Sequence, residues 1–402
     1  KIRLKSAEQH QDFDPQGIYL LPETIAELPP VAGILTAGEG NPLSHVQLLA
    51  RNLGIPNVTV DESLIPELTV YDGQNVILAA SPAGSVQLML DKGQLNHIFK
   101  QETASASLIH PDLKKLDLKP RDFIPLDRLR ASDSGRIVGP KAANLGELYH
   151  HYPEAVANGL TIPFGVFRSF LDQPIKNGKQ TIFEWMEAEY AKIQAMPPGS
   201  AERDEKMEAL RRQLENYILN VEFDEDFQRH LAAAMEKVFG PDGTYGVFVR
   251  SDTNVEDLPG FTGAGLNKTI PNVVGFENVL AAIPKVWASP FSKRAFAWRQ
   301  SHMDLPQHVY ASVLLLRSVP SEKSGVMVTR DIDTGEKGWL SVAVNEGVGG
   351  AVDGQAAESL RINIKTGGVR MLAQATAPWR RVLKSSGGVD KELVENPQKV
   401  LK

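Results

Sequence analysis

Short apolar runs that stop at glycine, proline, asparagine or aspartate recur through the first 91 residues of the chain. They occupy residues 17–21, 33–37, 57–60, 75–80 and 85–90. Runs of this length and composition are typical of β-strands. Between the second and third runs, residues 45–54 carry apolar side chains at helical spacing, and Gly54 followed by Pro56 provides a stop signal. This alternation predicts a small α/β unit over residues 17–91.

A second region, residues 131–402, combines longer helical segments with further strand-like runs. Amphipathic helices are predicted at residues 181–196, 202–221 and 223–240, and strands at residues 245–251, 309–319, 324–332 and 340–347. The pattern predicts a larger α/β body. Residues 98–130 separate the two regions and mix charge, serine and proline with little periodicity. We predict a linker here, which would let the first unit move relative to the second.

Composition argues against several classes of protein. The 402 residues are 42% hydrophobic and 23% charged, as in ordinary globular domains, and the net charge of -6 gives no reason to expect a nucleic-acid partner. No run approaches the roughly 18 apolar residues of a membrane span, so we expect no membrane partner. Cysteine is absent, which excludes disulfides and cysteine-ligated zinc and favours a cytoplasmic protein. The chain begins at a lysine without an apolar leader, and we expect a piece of a longer protein.

One histidine marks the start of the predicted helix in the first region. Ser44 is a suitable N-cap residue, and His45 then takes the first helical position. The partial positive charge of a helix N-terminus disfavours imidazolium and stabilises an anion, so a neutral ring that accepts a phosphoryl group suits this position. Thr36 and Asn41, with Ser44, are candidates for hydrogen bonds to such a group. The alternative is a surface histidine beside a helix cap, and position alone does not separate the two.

Two segments of the larger region carry residues that suit phosphate. Residues 135–148 place Gly139 and Lys141 between a predicted apolar strand and a helix, where a glycine permits close backbone approach and a lysine neutralises charge. Residues 245–265 end a strand at Arg250, whose planar guanidinium matches phosphate oxygens, and continue into a glycine-rich turn. The alternatives are an ordinary strand-to-helix turn and a solvated loop with a surface ion pair.

The stretch GILTAGEGNPLSHVQLLARNLGIPNV, residues 33–58, resembles the phosphohistidine motif of the ATP-dependent dikinases. These enzymes are phosphoenolpyruvate synthase, pyruvate phosphate dikinase and the α-glucan, water dikinases. The matching residues are Thr36, Ser44, His45, Ala50, Arg51, Gly54, Ile55 and Pro56. The resemblance implies a swivelling β/α domain over residues 1–97 in which His45 is phosphorylated. The residues implied to support the phosphohistidine are Thr36, Ser44 and Arg51.

The segments VGPKAANL, VRSDTNVEDLPGFTGAG, VWASPFSKRAFAWR and SGVMVTRDIDTGE resemble the nucleotide-binding domain of the same enzymes and follow one another in the same order. The resemblance implies that residues 131–402 form an ATP-grasp-like domain, truncated if the chain is a piece, with ATP as substrate. The residues implied to contact ATP are Lys141, Arg250, Thr262, Gly263, Gly265 and Arg330. The fold class expected for the whole chain is mixed α/β (α+β).

The chain departs from the family pattern at two positions. Leu316 stands in a strand where a glutamine is common, and Gly350 stands where a glutamate is common. The family implies Mg²⁺, which takes oxygen ligands, commonly one or two carboxylates together with nucleotide phosphates. Glu346 and Gln355 are the nearest candidate ligands. The altered acidic segment favours a second hypothesis, a nucleotide-binding regulatory module without turnover.

The family's chemistry, by resemblance, converts ATP to AMP and phosphate through a phosphohistidine that then swings to an acceptor. Such transfer depends mainly on positioning and electrostatics. The acceptor is expected to be pyruvate or a glucan, and the order of the two regions resembles that of the glucan dikinases. The sequence does not reveal an acceptor-binding domain or an oligomeric state.

Overall fold

The computed structural model of the protein describes residues 2–4, 13–14, 16–21, 31–37, 43, 47, 50–51, 54–81, 85–93, 95, 109–175, 179–197, 199–256, 268–332, 334–351 and 357–395. Side chains are described for all of these except residues 2–4, 62, 301 and 302. By their contacts the residues form two compact units. Unit 1 comprises residues 1–106, 320–382 and 390–402, and unit 2 comprises residues 107–319 and 383–389.

The strands are, in chain order, β1 (Ile2–Leu4), β2 (Ile18–Leu21), β3 (Gly33–Ala37), β4 (Asn57–Val60), β5 (Val76–Ala80), β6 (Val86–Leu90), β7 (Ile124–Pro125), β8 (Gly159–Ile162), β9 (Gly246–Thr253), β10 (Thr269–Val274), β11 (Ala311–Arg317), β12 (Lys323–Val328), β13 (Trp339–Glu346), β14 (Glu358–Asn363), β15 (Val369–Ala373), β16 (Trp379–Leu383) and β17 (Val389–Leu393). The α-helices are α1 (Ile65–Thr69), α2 (Pro140–His151), α3 (Phe164–Leu171), α4 (Ile182–Gln194), α5 (Ala201–Leu219), α6 (Glu225–Phe239), α7 (Phe276–Trp287) and α8 (Lys293–His302). Gln47, Ala50 and Arg51 are also helical.

In unit 1, the first four strands form a parallel sheet in the order β1-β2-β3-β4. Parallel sheets usually have both faces covered. On one face, Ile18 and Leu35 pack with residues of α1 and of the antiparallel hairpin formed by β5 and β6. On the other face, Tyr19 and Ile34 pack with Ala50 of the helical segment. Helix and hairpin therefore enclose the sheet.

The helical segment that contains Ala50 ends where the sequence predicts. Gly54 has a φ of 67°, and its N–H donates to the carbonyl of Arg51 at 3.1 Å. The N–H of Ile55 donates to the carbonyl of Ala50 at 2.8 Å. This pair of bonds is a Schellman C-cap, which favours glycine because the left-handed region is open to it.

Unit 1 also contains an antiparallel sheet in the order β12-β13-β14-β15 and a hairpin of β16 and β17. Leu43, which precedes the helical segment, is buried in one core with Ala343, Ala351 and Ala357. The N-terminal part of the chain therefore contributes to the core of this second sheet.

Unit 2 is built on an antiparallel sheet in the order β10-β9-β11-β8-β7. Successive side chains on a strand point to opposite faces. Val247 and Val313 lie on the face that α3 to α7 cover. Leu314 lies on the other face and packs with Ala142 and Ala143 of α2. The sheet therefore has α2 on one side and α3 to α7 on the other.

The structure confirms the mixed character of the predicted fold, with helices and sheets in both units. The predicted helices match α4, α5 and α6, and the predicted strands of the larger region match β9, β11, β12 and β13. One difference is the apolar run before Gly139, which forms only an isolated bridge between Ser134 and Val138. Strand β10 escaped prediction because Pro271 interrupts it and Asn272 has a positive φ of 49°.

Residues 109–130, expected to be part of a linker, instead pack into unit 2. Ile109 bridges Met303, and β7 pairs with β8. Leu126 and Leu129 are fully buried in the core beneath α2. Their apolar residues follow neither a helical nor a strand period, so periodicity does not reveal this packing. Residues 98–108 of the predicted linker lie outside the described residues.

Within the described parts of the chain, no helix combines the length and the apolar character needed to cross a membrane.

Candidate functional site

The first turn of α2 is held by a carboxylate from a distant strand. Gly139 occupies the N-cap position and has no side chain to cap the helix. The Asp252 carboxylate in β9 accepts hydrogen bonds from the N–H groups of Lys141 at 3.0 Å and of Ala142 at 2.9 Å. These groups are among the donors that a helix leaves unpaired at its start. Asp252 therefore does for α2 what an N-cap side chain normally does.

Ser312 in β11 joins the same turn to the sheet. Its Oγ accepts from the N–H of Gly139 at 3.2 Å and donates to the carbonyl of Asp252 at 2.8 Å. A Cβ atom on Gly139 would collide with the carboxyl group of Asp252. The sequence suggested that Gly139 lets a phosphate approach the backbone. In the structure, a glycine is required at this position because the Asp252 carboxyl group lies against it.

The Lys141 side chain also has partners within unit 2. Its Nζ donates to the carbonyl of Ser251 at 3.1 Å and forms an ion pair with Glu256. The Lys141 side chain is 27% exposed and that of Glu256 is 6% exposed. Because an ammonium has three N–H donors, one donor of Lys141 is left beyond these two contacts. The lysine is therefore restrained but still accessible from solvent.

Burial raises the pKa of Asp252 to about 7, and the neighbouring charge of Glu256 adds to this effect. The positive charge of Lys141 and the two backbone N–H donors act in the opposite direction. Desolvation prevails because the Asp252 side chain is enclosed between α2 and the sheet. The carboxyl group therefore exchanges its proton near neutral pH.

Arg250 lies on the same face of the sheet as Asp252, two residues earlier on β9. Its Cα partner on β11 is Leu314, which packs against Ala142 of α2. Arg250 is half-buried, and its guanidinium makes no hydrogen bond or ion pair with any residue that the structure describes. The structure thus brings Lys141 and Arg250, predicted from separate motifs, to one face of one sheet.

The other described candidates lie in unit 1. Thr36 is buried near the end of β3, on the face where Ile34 packs with Ala50. Arg51 is exposed, and its guanidinium donates to the carbonyl of Ile332. Arg330 is exposed and donates to the carbonyl of Gly335 at 3.2 Å. Arg330 therefore has a local role in the turn after β12, and it is not in the unit that holds Lys141 and Arg250.

Several predicted site residues lie outside the described residues. They are Asn41, Ser44, His45, Thr262, Gly263, Gly265 and Gln355.

The described part of the acidic segment after β13 offers few ligands for a metal ion. Among the described residues, no group of three or more His, Cys, Asp or Glu side chains could hold one. Glu346, half-buried at the end of β13, is the described member of the predicted pair. Gly350 has a φ of 99°, a conformation that is strained for a glutamate. The backbone is thus adapted to the glycine, and the described residues do not by themselves form a magnesium site.

A family profile described as pyruvate phosphate dikinase, AMP/ATP-binding domain, matches residues 135–397. This range is more than half of the chain and contains Lys141, Arg250, Asp252 and Glu256. The chain belongs to this family. Its relatives place it among the phosphoenolpyruvate-utilising dikinases, and the family description implies ATP as substrate. The segment at residues 33–58 lies before the matched range.

Three relatives show the extent of the similarity. A rifampicin phosphotransferase of Bacillus cereus is 28% identical over 264 residues, 65% of this chain and 29% of that protein. A probable phosphoenolpyruvate synthase of Archaeoglobus fulgidus is 34% identical over 211 residues, 52% of this chain and 26% of that protein. The phosphoenolpyruvate synthase of Escherichia coli is 29% identical over 204 residues, 49% of this chain and 24% of that protein. The chain spans less than a third of the length of these relatives.

The sequence alone does not single out Asp252, Glu256 or Ser312. The first two stand in the segment SDTNVED, which has the composition of a polar acidic loop. The sequence does contain one signal. Side chains of β9 alternate between the two faces of the sheet, and this alternation places Asp252 on the face where Leu314 packs in an apolar cluster. A carboxylate at such a position needs partners, since an isolated buried charge is costly.

Proposed function

We propose that the protein transfers a phosphoryl group from ATP to His45 and then to an acceptor. In this proposal, residues 1–97 form the swivelling phosphohistidine domain and residues 131–402 contain the ATP-grasp-like nucleotide domain. A ring nitrogen of His45 attacks the β-phosphorus of ATP. With one water consumed, AMP and one phosphate leave, and a phosphohistidine remains. Lys141 and Arg250 neutralise phosphate charge during this step.

The observation that carries the proposal is a contact within unit 1. Leu43, two residues before His45 in sequence, packs with Ala343 and Ala351, and Arg51 donates to the carbonyl of Ile332. Residues on both sides of His45 thus contact the part of the chain that matches the AMP/ATP-binding family. This arrangement supports a role for His45 in receiving phosphate from the nucleotide-binding region.

Hydrogen bonds restrain Ile332, whose carbonyl accepts from Arg51. The N–H of Ile332 donates to Ser341 Oγ at 3.1 Å. The preceding residue, Asp331, is buried and pairs with Arg361 at 3.1 Å. Because these bonds restrain the turn, the carbonyl that receives Arg51 has a defined position. Such a contact suits a docked state that can form repeatedly.

Intact mass spectrometry after incubation with Mg²⁺ and ATP tests the proposal. The wild type is expected to gain one acid-labile phosphate that is absent in His45→Ala and present in His230→Ala, a matched change at an exposed histidine of α6. Label in the β-phosphate should reach the protein, and AMP should appear as product. Label from the γ-phosphate alone, or phosphate on His45→Ala, would contradict the proposal.

The acceptor belongs to the same proposal. Pyruvate and a glucan are candidates from the family resemblance, and the name of the Bacillus cereus relative adds rifampicin. Incubating the labelled protein with each of these compounds, without free ATP, would show which removes the label. Loss of label only to water would leave the transfer step unsupported.

A regulatory module that binds nucleotide without turnover is the second candidate function. Two observations favour it: Lys141 is paired with Glu256, and Gly350 has a backbone conformation unsuited to the glutamate common in the family. Stable ATP binding, measured by calorimetry, without AMP release or a gain in protein mass would support this function.

A further inference from the structure

We propose that Glu256 is an internal competitor for Lys141, so that its carboxylate occupies the lysine in the resting protein and must give way to a nucleotide phosphate. This inference rests on the proposed nucleotide function and assigns to Glu256 a role in controlling affinity. The observation behind it is the ion pair between Lys141 Nζ and the Glu256 carboxylate. In the proposed function, a phosphate oxygen would bind the same ammonium group.

The surroundings make the competition strong. The Glu256 side chain is 6% exposed, so water screens its charge poorly. Asp252, which is fully buried, supplies a second carboxyl group to the same corner. A polyphosphate that approaches Lys141 would therefore meet carboxylate charge at short range. Unless Glu256 moves or loses its charge, the repulsion offsets part of the attraction to Lys141.

The local structure allows Glu256 to move without unfolding the site. Apart from the ion pair, Glu256 bonds to Thr253, whose N–H donates to the Glu256 carboxylate at a long 3.4 Å. Lys141 is held independently, through its contact with the Ser251 carbonyl and through the helix start that Asp252 caps. Loss of the ion pair would thus free the ammonium while α2 stays in place.

Arg250 provides a contrast on the same sheet. It shares the sheet face with Asp252 but makes no ion pair with a described residue. We therefore expect Arg250 to attract the incoming phosphates first, and Lys141 to join after it exchanges Glu256 for a phosphate oxygen. Glu256 then lowers the affinity of the free protein for nucleotide.

Calorimetric titration of the full chain with ATP and, separately, with inorganic tripolyphosphate tests the inference. Glu256→Gln keeps the size and a hydrogen-bond acceptor but removes the charge. This substitution should lower the Kd for both probes about tenfold, because a hydrogen bond between two charged groups is stronger than one to a neutral amide by roughly this factor. Glu205→Gln, a matched change at an exposed residue of α5, should leave the Kd unchanged. Glu256→Ala, a second variant, should act in the same direction.

The outcomes separate this inference from the proposed function. If the wild type binds ATP and both Glu256 variants bind it equally well or more weakly, while their melting temperatures show that they are folded, the competitor role is wrong and the nucleotide function stands. If neither probe binds to the wild type or to the variants, both proposals fail. If Glu256→Gln and Glu205→Gln both bind the probes more tightly than the wild type, the change in the net charge of the protein explains the effect, and the inference is overturned.

Discussion

Helices α2 and α4 both belong to unit 2, yet different kinds of partner hold their first turns. In α4, Thr181 accepts from the N–H of Glu184 at 3.1 Å, and the Glu184 carboxylate accepts from the N–H of Thr181 at 3.0 Å. This is a capping box within four consecutive residues. In α2, the cap is Asp252, which stands 111 residues after Lys141. A local cap only starts a helix, whereas a distant cap also ties the helix to a sheet.

The difference has a functional consequence. The cap of α4 uses residues that have no other role in the site. The cap of α2 brings Lys141 beside Glu256 and on the same sheet face as Arg250. The start of α2, which depends on tertiary contacts, is thus also the place where Lys141, Arg250, Asp252 and Glu256 come together. We call these four residues the candidate phosphate site.

The largest effect is expected from removing the distant cap. Asp252→Ala leaves the N–H groups of Lys141 and Ala142 without acceptors in a buried place, and should lower the free energy of unfolding by about 3 kcal/mol. Urea denaturation measures this change. Asp242→Ala, in an exposed loop of the same unit, is the matched control and should change stability by less than about 0.5 kcal/mol. Equal effects would show that Asp252 is not a structural cap.

A pH dependence should accompany the distant cap. The pKa of Asp252 is about 7, while an aspartate in an unfolded chain titrates near pH 4. Between these values the folded protein holds a proton that the unfolded chain has released. Its stability therefore falls as the pH rises through this window, by on the order of 2 kcal/mol once coupling to Lys141 and Glu256 is allowed for.

Asp252→Asn cannot ionise, so its stability should change less than that of the wild type between pH 4.5 and 7 (about the limits of this window). Urea midpoints at several pH values provide the comparison, with Thr181→Ser as a variant that should keep the wild-type slope. A slope in Asp252→Asn as steep as that of the wild type would assign the pH dependence to other groups.

A smaller loss of stability is expected when a methyl group is added next to the Asp252 carboxyl group. Gly139→Ala places a methyl group where the Asp252 carboxyl lies, and should cost about 1.5 kcal/mol by overpacking. The cost should shrink when Asp252 is already alanine, because the main clash is then gone. Strict additivity in this double-mutant cycle would argue against the contact.

The smallest effect is expected at the local cap. Thr181→Ala removes the acceptor for the N–H of Glu184 and should cost about 1 kcal/mol. The same change should leave the Kd for ATP unaltered, since Thr181 contacts no residue of the candidate phosphate site. A loss of ATP binding in a folded Thr181→Ala variant would remove the distinction drawn between the two helices.

Much of the secondary structure could be predicted because its determinants are local. The end of the helical segment at Gly54 and the starts of α4, α5 and α6 each depend on residues within one turn. The packing of residues 109–130 could not be predicted because their buried leucines follow no period. The candidate site was predicted in part: Lys141 and Arg250 came from motif resemblance, whereas their carboxylate partners came only from the structure.

The sequence by itself determined strands β2 to β6, β9 and β11 to β13, the ends of several helices, the absence of cysteine chemistry and the segments that mark the family. It could do so because each of these depends on residues close together in the chain. Only the tertiary structure decided that Asp252 caps α2, that Glu256 holds Lys141 and that Leu43 packs with Ala343, Ala351 and Ala357. These contacts join residues at least 100 positions apart, and the alternating burial of a strand does not specify which distant backbone a polar side chain will meet.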